Sequence, residues 1–345
     1  MTAPMSAPMS AHMNLAMIDN AFLPAEFATI AARAEAAGFA VRRYKDNAAF
    51  HAADHAHTDI MLCMGHTTCD AALLDRMPRL RGLLSAVTGI EGFDVTAASS
   101  RGILIGNGQT ELNYTGMAEA TILLILAALY DFNFTQTVLR DNQPRPSPLR
   151  ARLLKGRTVG FIGFGKIAQE VAIRLARWDA RLICSAHRSN PAMAALQVAQ
   201  VALETLLETA DIISLHCSLN PQTHHLLDAR RIALLKPDAL LINTARGALI
   251  DEIALIDALR DRRIAGAALD CFEQEPLAPN SPLRALPNVI LTPHMIGHTS
   301  ECNQSLMETA WQSIDNLARG VPPVFVKNPD ALERWQARLA TLLPV

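Results

Sequence analysis

The chain of 345 residues lacks several features that would fix its class at once. It has no long basic run, and its formal net charge is -2, so nucleic acid has no electrostatic footprint to meet. It has six cysteines (Cys63, Cys69, Cys184, Cys217, Cys271 and Cys302) but no C-x-x-C pair and no dense framework. Such thiols are expected to be buried and reduced in a cytoplasmic protein. No metal site is expected. The first residues are rich in Met, Ala, Ser and Pro but lack a charged segment ahead of an apolar core, so residues 1–14 read as a disordered tail and not as a signal peptide. The most apolar run, Ala120 to Leu129, is too short to span a bilayer and reads as a helix buried in a core or a subunit interface.

What is present is a globular composition, half hydrophobic and 19% charged, long enough for two domains. Short apolar runs alternate with helical stretches from Ala16 onward. Strands are expected at 16–18, 40–42, 59–64 and 82–87, and a long helix over 116–137. A segment with three prolines, Asp141 to Pro148, follows as a loop or hinge. A second alternating block holds six expected parallel strands: 158–162, 181–185, 212–216, 240–243, 266–270 and 289–292. The pattern predicts an α/β protein of two doubly wound domains. Helix returns over 307–319, an extended piece over 324–329 and a last helix over 329–343.

The second block opens with Gly163-Phe164-Gly165-Lys166-Ile167-Ala168, directly after a strand and at the start of a helix. A G-x-G-x-x-G/A string in that context reads as a dinucleotide-binding turn. Gly163 makes the tight turn, Gly165 lets the backbone approach a pyrophosphate, and the small Ala168 permits close helix–strand packing. The helix N-terminus offers free N–H groups to phosphate. The next strand ends at Ala186-His187-Arg188-Ser189 without the carboxylate that usually binds a ribose 2′-hydroxyl. His187, Arg188 and Ser189 therefore favour a 2′-phosphate, and NADP over NAD.

Three later strands each carry a reactive group just beyond their carboxyl end: Arg246, the acids Asp270, Glu273 and Glu275, and His294. In an open α/β sheet, ligands bind outside those ends. The strings LINTARGALIDEIAL, GAALDCFEQEP and NVILTPH resemble the D-isomer-specific 2-hydroxyacid dehydrogenases, and the resemblance extends over roughly residues 59–329. It implies a Rossmann cofactor domain (113–298, with an interdomain helix at 116–137) inserted in a flavodoxin-like substrate domain (15–112 and 299–345).

It also implies roles. Arg246 binds the substrate carboxylate and C2 oxygen with a planar, permanently charged fork. His294 is the general acid/base, and Glu275 hydrogen-bonds it and favours its imidazolium form. Asp270 is similar to the residue that holds the nicotinamide carboxamide. Thr244 and Ala245 lie on the cofactor wall, and His216 and Thr223 on a cofactor-side stretch. Thr88-Gly89-Ile90 resembles a glycine loop whose amides take a carboxylate, although Glu91 stands where a small residue is common. Asn113 resembles a polar residue near the substrate, or else caps a helix. His66 stands where relatives acting on phosphorylated substrates carry an arginine, which favours a small unphosphorylated 2-oxo acid: glyoxylate, hydroxypyruvate or pyruvate.

Two alternatives compete with this reading. One is a cofactor-sensing binding protein akin to the corepressors that reuse the fold. The other is formate dehydrogenase, which the replacement of its usual Gln by Thr292-Pro293 disfavours. The chain has no room for the regulatory domain of long phosphoglycerate dehydrogenases. The loop ahead of the cofactor domain, Arg145 to Pro148, lacks the family's Trp. A homodimer is expected, because the apolar helix would otherwise expose a large patch.

Overall fold

The computed structural model describes residues 13–19 and 23–342. The chain divides into two compact units. One comprises the residues up to Asn113 together with those from Ser300 on; the other is Tyr114–Thr299.

The first unit is built on five strands: β1 (Asn14–Ile18), β2 (Ala40–Tyr44), β3 (Ile60–Cys63), β4 (Gly82–Ser85) and β5 (Leu104–Gly106). All pair in parallel, in the order β2-β1-β3-β4-β5. That is the flavodoxin-like order. β3 and β4 are wholly buried, as central parallel strands covered on both faces must be, whereas the edge strand β2 is largely exposed. Asn14 opens β1 and Met13 is buried, so the expected tail over 1–14 is corrected at its last two residues; residues 1–12 lie outside the described ones. β5 was not anticipated, being only three residues long.

The C-terminal segment completes this unit. The extended piece at 324–329 runs antiparallel to β5 through Val326 and Gly106. Asn328 is buried there. Its amide donates to the Ile103 carbonyl and the Ser99 hydroxyl, and its carbonyl accepts the Ile105 N–H. Trp335, on the helix Leu332–Leu342, is buried in the same core and donates its indole N–H to the Arg81 carbonyl at 2.9 Å.

The second unit has seven strands: β6 (Thr158–Ile162), β7 (Arg181–Ser185), β8 (Ala199–Gln200), β9 (Ile212–Leu215), β10 (Leu240–Asn243), β11 (Gly266–Leu269) and β12 (Val289–Leu291). All are parallel, in the order β12-β11-β10-β9-β6-β7-β8. Counted from β6 this is the 3-2-1-4-5-6 dinucleotide order with one strand added. Seven strands replace the expected six because β8 is two exposed residues at the edge and leaves no apolar signature.

The helix expected over 116–137 is also corrected. It is two helices, Glu111–Leu129 and Phe132–Arg140, broken at Asp131, whose φ of 48° ends one helix and starts the next. Aspartate tolerates that left-handed conformation better than most residues. Glu111–Leu129 is longer than the run Ala120 to Leu129 suggests, and it passes a length and composition test for a membrane span. Its Ala118, Leu124, Ile125 and Leu129 are nevertheless buried with Val159, Phe161 and Val171 in the core of the seven-stranded unit, as in a core helix. Likewise the helix expected over 307–319 begins earlier, at Ser300.

Trp335→Ala should remove about 3–5 kcal/mol of stability, the usual cost of deleting a buried aromatic side chain. Urea titration would register this as a lower midpoint at unchanged slope, and a midpoint unmoved by the substitution would refute the packing argument.

Candidate functional site

The glycine turn joins β6 to the helix Lys166–Leu175. Gly163 has φ +89°, and a Cβ there would stand 2.7 Å from the Cys217 nitrogen. No side chain fits, because the turn crosses the backbone leaving β9. Gly165 is different: a Cβ would meet nothing within 4 Å, so its freedom is not needed for packing inside the chain. It caps the helix without a side-chain hydrogen bond, so no capping side chain occupies the first helical N–H groups. That combination fits the pyrophosphate of a dinucleotide. Ala168 is fully buried, and the Phe164 side chain also goes into the core, so only the backbone of Phe164 is available at the turn. Lys166 is exposed and Ile167 half-buried.

The other cofactor-side residues divide sharply. His187, Arg188 and Ser189 are exposed just beyond β7, with no carboxylate among them. His216 turns inward: its ring packs near Phe161 and shares a 2.8 Å hydrogen bond with Ser214. Burial lowers its pKa to about 4. Its backbone is what meets the turn, 2.8 Å from the missing Gly163 Cβ. Thr223 knits its own loop, donating to the Ser218 carbonyl and accepting the Asn220 N–H, each at 2.8 Å.

Arg246, Glu275 and His294 follow β10, β11 and β12, which are neighbours in the sheet. Asn243, the buried last residue of β10, folds the first loop by accepting the Ala245 N–H and donating to the Arg246 carbonyl. Thr244 is paired with Thr121 of the helix Glu111–Leu129 at 3.2 Å. Gly247 lies so close to the next loop that a Cβ would stand 1.9 Å from the Phe272 carbonyl carbon. The Arg246 loop is thus packed backbone to backbone on the segment carrying Glu275.

Asp270 is 2% exposed. Its carboxylate accepts from the Thr292 hydroxyl (2.6 Å), the Met295 N–H (3.1 Å) and the Ile296 N–H (3.2 Å). These bonds fasten the segment on which His294 sits at φ 54°, a left-handed value that non-glycine residues adopt at a cost. Glu275 holds the ring: its Oε2 accepts from His294 Nδ1 at 2.7 Å, while its Oε1 accepts the Phe272 N–H at 3.0 Å. A carboxylate only accepts, so Nδ1 carries the proton and Nε2 is left for proton exchange with a ligand. Burial alone would raise the Glu275 pKa, but the bonds from His294 and Phe272 outweigh it and hold the carboxyl below its ordinary value. Beside them, burial pushes the Cys271 thiol well up, which leaves it protonated and unreactive.

In the five-stranded unit, the loops after β3 and β4 interlock. A Cβ on Gly65 would stand 1.8 Å from the Gly89 carbonyl oxygen, and the Ser85 hydroxyl donates to that same oxygen at 2.7 Å. The Thr88 hydroxyl lies 3.2 Å from both the Gly108 carbonyl and Asn113 Oδ1, which brings two of the expected substrate residues together. Asn113 is buried and donates to the Cys302 sulfur at 3.5 Å. Thr110, not Asn113, caps the helix, since its hydroxyl accepts the Asn113 N–H. Ile90 is half-buried and His66 exposed.

Residues 122–296 match the family description "D-isomer specific 2-hydroxyacid dehydrogenase, NAD binding domain". A glyoxylate reductase of Thermofilum pendens is 35% identical over 292 residues, covering 83% of this chain and 86% of that protein. Among solved structures, a protein of Thermus thermophilus superposes with a TM-score of 0.81 at 30% identity, covering 91% of this chain and all of that one. An acyclic imino acid reductase in complex with NADPH and D-Arg superposes with a TM-score of 0.79 at 26% identity, covering 91% and 99%.

The His216 ring gives the unit a pH signature. The unfolded chain takes up a proton near the ordinary pKa of 6.5, while the folded chain refuses it until about 4. The contribution of this ring to stability is therefore full above 6.5 and lost as pH falls from 6.5 toward 4. Denaturant titrations across that range should show a slope that flattens in His216→Gln; an identical slope in both proteins would count against the inward-facing neutral ring.

Proposed function

The chain belongs to the D-isomer-specific 2-hydroxyacid dehydrogenases, and from that premise we propose that it reduces a small unphosphorylated 2-oxo acid of the glyoxylate, hydroxypyruvate or pyruvate type, using NADPH in preference to NADH. As a family member it is a nicotinamide-dependent oxidoreductase of 2-hydroxy acids. The observation that carries the proposal is the Glu275–His294 pair beside Arg246 at adjacent strand ends.

A nicotinamide dinucleotide bound at the glycine turn supplies the hydride. Gly163, Gly165 and the backbone of Phe164, Lys166 and Ile167 hold its pyrophosphate; Thr244 and Ala245 line its wall. Arg246 takes the substrate carboxylate and the C2 oxygen with its fork. His294 delivers the Nε2 proton to the carbonyl oxygen and recovers it in the reverse direction, while Glu275 keeps the ring oriented and stabilises the imidazolium. Asp270 is a positioning residue in this scheme, because its carboxylate is occupied by the His294 segment. Of the other cofactor-side residues, His216 and Thr223 act by shaping loops. In the five-stranded unit, taken by itself, the amides of Thr88, Gly89 and Ile90 form a carboxylate-binding loop, with Asn113 and His66 beside it. Preference for NADPH is supported by exposed His187, Arg188 and Ser189 at a strand end that has no acid. The six free cysteines, five of them buried, support a reducing cytoplasm.

A homodimer is part of the same proposal. Leu139, Leu149 and Leu153 are 84%, 83% and 63% exposed, and Leu123, Tyr130 and Phe132 add further apolar surface. A hollow of about 410 Å³ lined by Ala128, Phe132, Arg150, Ile264, Val289 and Ile290 lies in the same unit. A second copy of this surface would cover such a patch.

Following NADPH and NADH oxidation with a panel of 2-oxo acids tests the chemistry. His294→Ala should cut kcat by about 10²–10⁴-fold, the range of general acid catalysis, and Arg246→Ala should mainly raise KM for the acid. Undiminished turnover in His294→Ala would overturn the assignment, and a preference for NADH would overturn the cofactor choice. Light scattering should return a dimer, and Leu139→Asp with Leu149→Asp a monomer; a wild-type monomer would remove that part of the proposal.

A further inference from the structure

Behind the Arg246 loop stands a second group of ionisable side chains that the proposed chemistry does not use. His225 Nε2 lies 2.5 Å from Glu273 Oε1. Glu273 and Glu252 bond each other reciprocally: Glu252 N–H donates to Glu273 Oε1 at 3.3 Å, and Glu273 N–H donates to Glu252 Oε2 at 3.2 Å. The three residues come from the segments that follow three neighbouring strands, with Glu252 at the start of the helix Glu252–Arg260. His225 follows β9, Glu252 lies six residues beyond Arg246, and Glu273 lies two residues before Glu275.

The backbone is stitched at the same place. His225 N–H donates to the Ala248 carbonyl at 2.8 Å, and Leu227 N–H to the Leu249 carbonyl at 3.0 Å. Leu227 and Ile250 form an isolated parallel bridge. Gly247, between Arg246 and Ala248, is in the close approach to Phe272 already described. His225 itself sits at φ 48°, stacked on His224 with ring centroids 4.1 Å apart. A non-glycine residue persists in that conformation where its surroundings hold it there.

About a third of each of the His225 and Glu273 side chains is exposed (38% and 33%), so the pair adds little to global stability. Its effect is on geometry. Glu252, at the start of its helix, and Glu273, on the Glu275 loop, place two carboxylates on facing segments. Burial raises the Glu252 pKa; the bond from the Glu273 amide opposes this and the Glu273 charge adds to it. His225 is the group that bonds Glu273 from a third loop. That bond ties a third segment to the contact between the Arg246 and Glu275 loops.

We propose that His225, Glu273 and Glu252 form a positioning clamp that sets the spacing between Arg246 and Glu275, and so the fit of the substrate carboxylate. The proposal rests on the function argued above. In steady-state assays, His225→Ala and Glu273→Ala should raise KM for the 2-oxo acid about tenfold, a fraction of the roughly 10²-fold cost of a 1 Å misplacement. The change in kcat should be smaller, with cofactor KM and Tm nearly unchanged. His225→Gln keeps a side-chain N–H for Glu273 and should restore KM. Hydrogen exchange of residues 245–252 should accelerate in His225→Ala and return to normal in His225→Gln. Unchanged KM and unchanged exchange would overturn the clamp, as would a loss that tracks Tm and is not rescued by Gln. If the wild-type protein reduces no 2-oxo acid, the proposed function fails, and the exchange measurement alone then decides the clamp.

Discussion

The buried carboxylate of Asp270 is the contact on which the rest of the site depends. A buried acid must be paired or well bonded, and here three donors come from one short segment, Thr292 to Ile296. That segment has no regular structure to fix it, since β12 ends at Leu291. The bonds to Asp270 replace the missing ladder. They hold His294 in a left-handed conformation that the segment alone would not favour. With the backbone held, the ring needs only one further partner, and Glu275 supplies it from the loop next door. Asp270 and Glu275 are five residues apart on one segment, so one strand end fixes both the histidine's backbone and its ring.

Close backbone contact extends this arrangement to the other loops. Gly163 against Cys217, Gly247 against Phe272 and Gly65 against Gly89 each mark a place where two strand-end loops touch with no room for a side chain. In a parallel sheet the strand spacing is near 4.8 Å, so loops leaving adjacent strands on one side must either diverge or pack backbone to backbone. These glycines permit the second outcome. They hold the loops of neighbouring strands together within each sheet. Gly165 is the exception, because its missing side chain faces nothing within the chain.

The long strands, the glycine turn and the three reactive loops were legible in the sequence because each carries a local signature. A run such as Leu240–Asn243 is uniformly apolar and then stops at a polar residue. Features set by tertiary context were not legible. β8 is two exposed residues completed by pairing with β7. The break at Asp131 depends on one residue's φ, with no glycine or proline between Tyr130 and Thr135 to mark it. Asn243 and Thr121 have ordinary polar side chains whose importance appears only when the loop folds back on the one and the helix packs beside the other. His216 and Thr223 show the reverse: they lie on the expected stretch, but their side chains serve the loop and the core.

The two sheets also differ in how much of their chemistry the scaffold dictates. In the seven-stranded unit, Asn243, Asp270 and Glu275 each satisfy backbone groups of the reactive loops, so reaction geometry is coupled to folding itself. Substituting any of them leaves backbone donors of those loops without their acceptors, a cost incurred whatever the substrate. The residues beyond β7 carry no such obligation. His187, Arg188 and Ser189 are exposed at the strand end, away from the bonds that tie the reactive loops together. The segment beyond β7 is therefore open to substitution, while the loops after β10 to β12 are held in place by the fold's own hydrogen bonds.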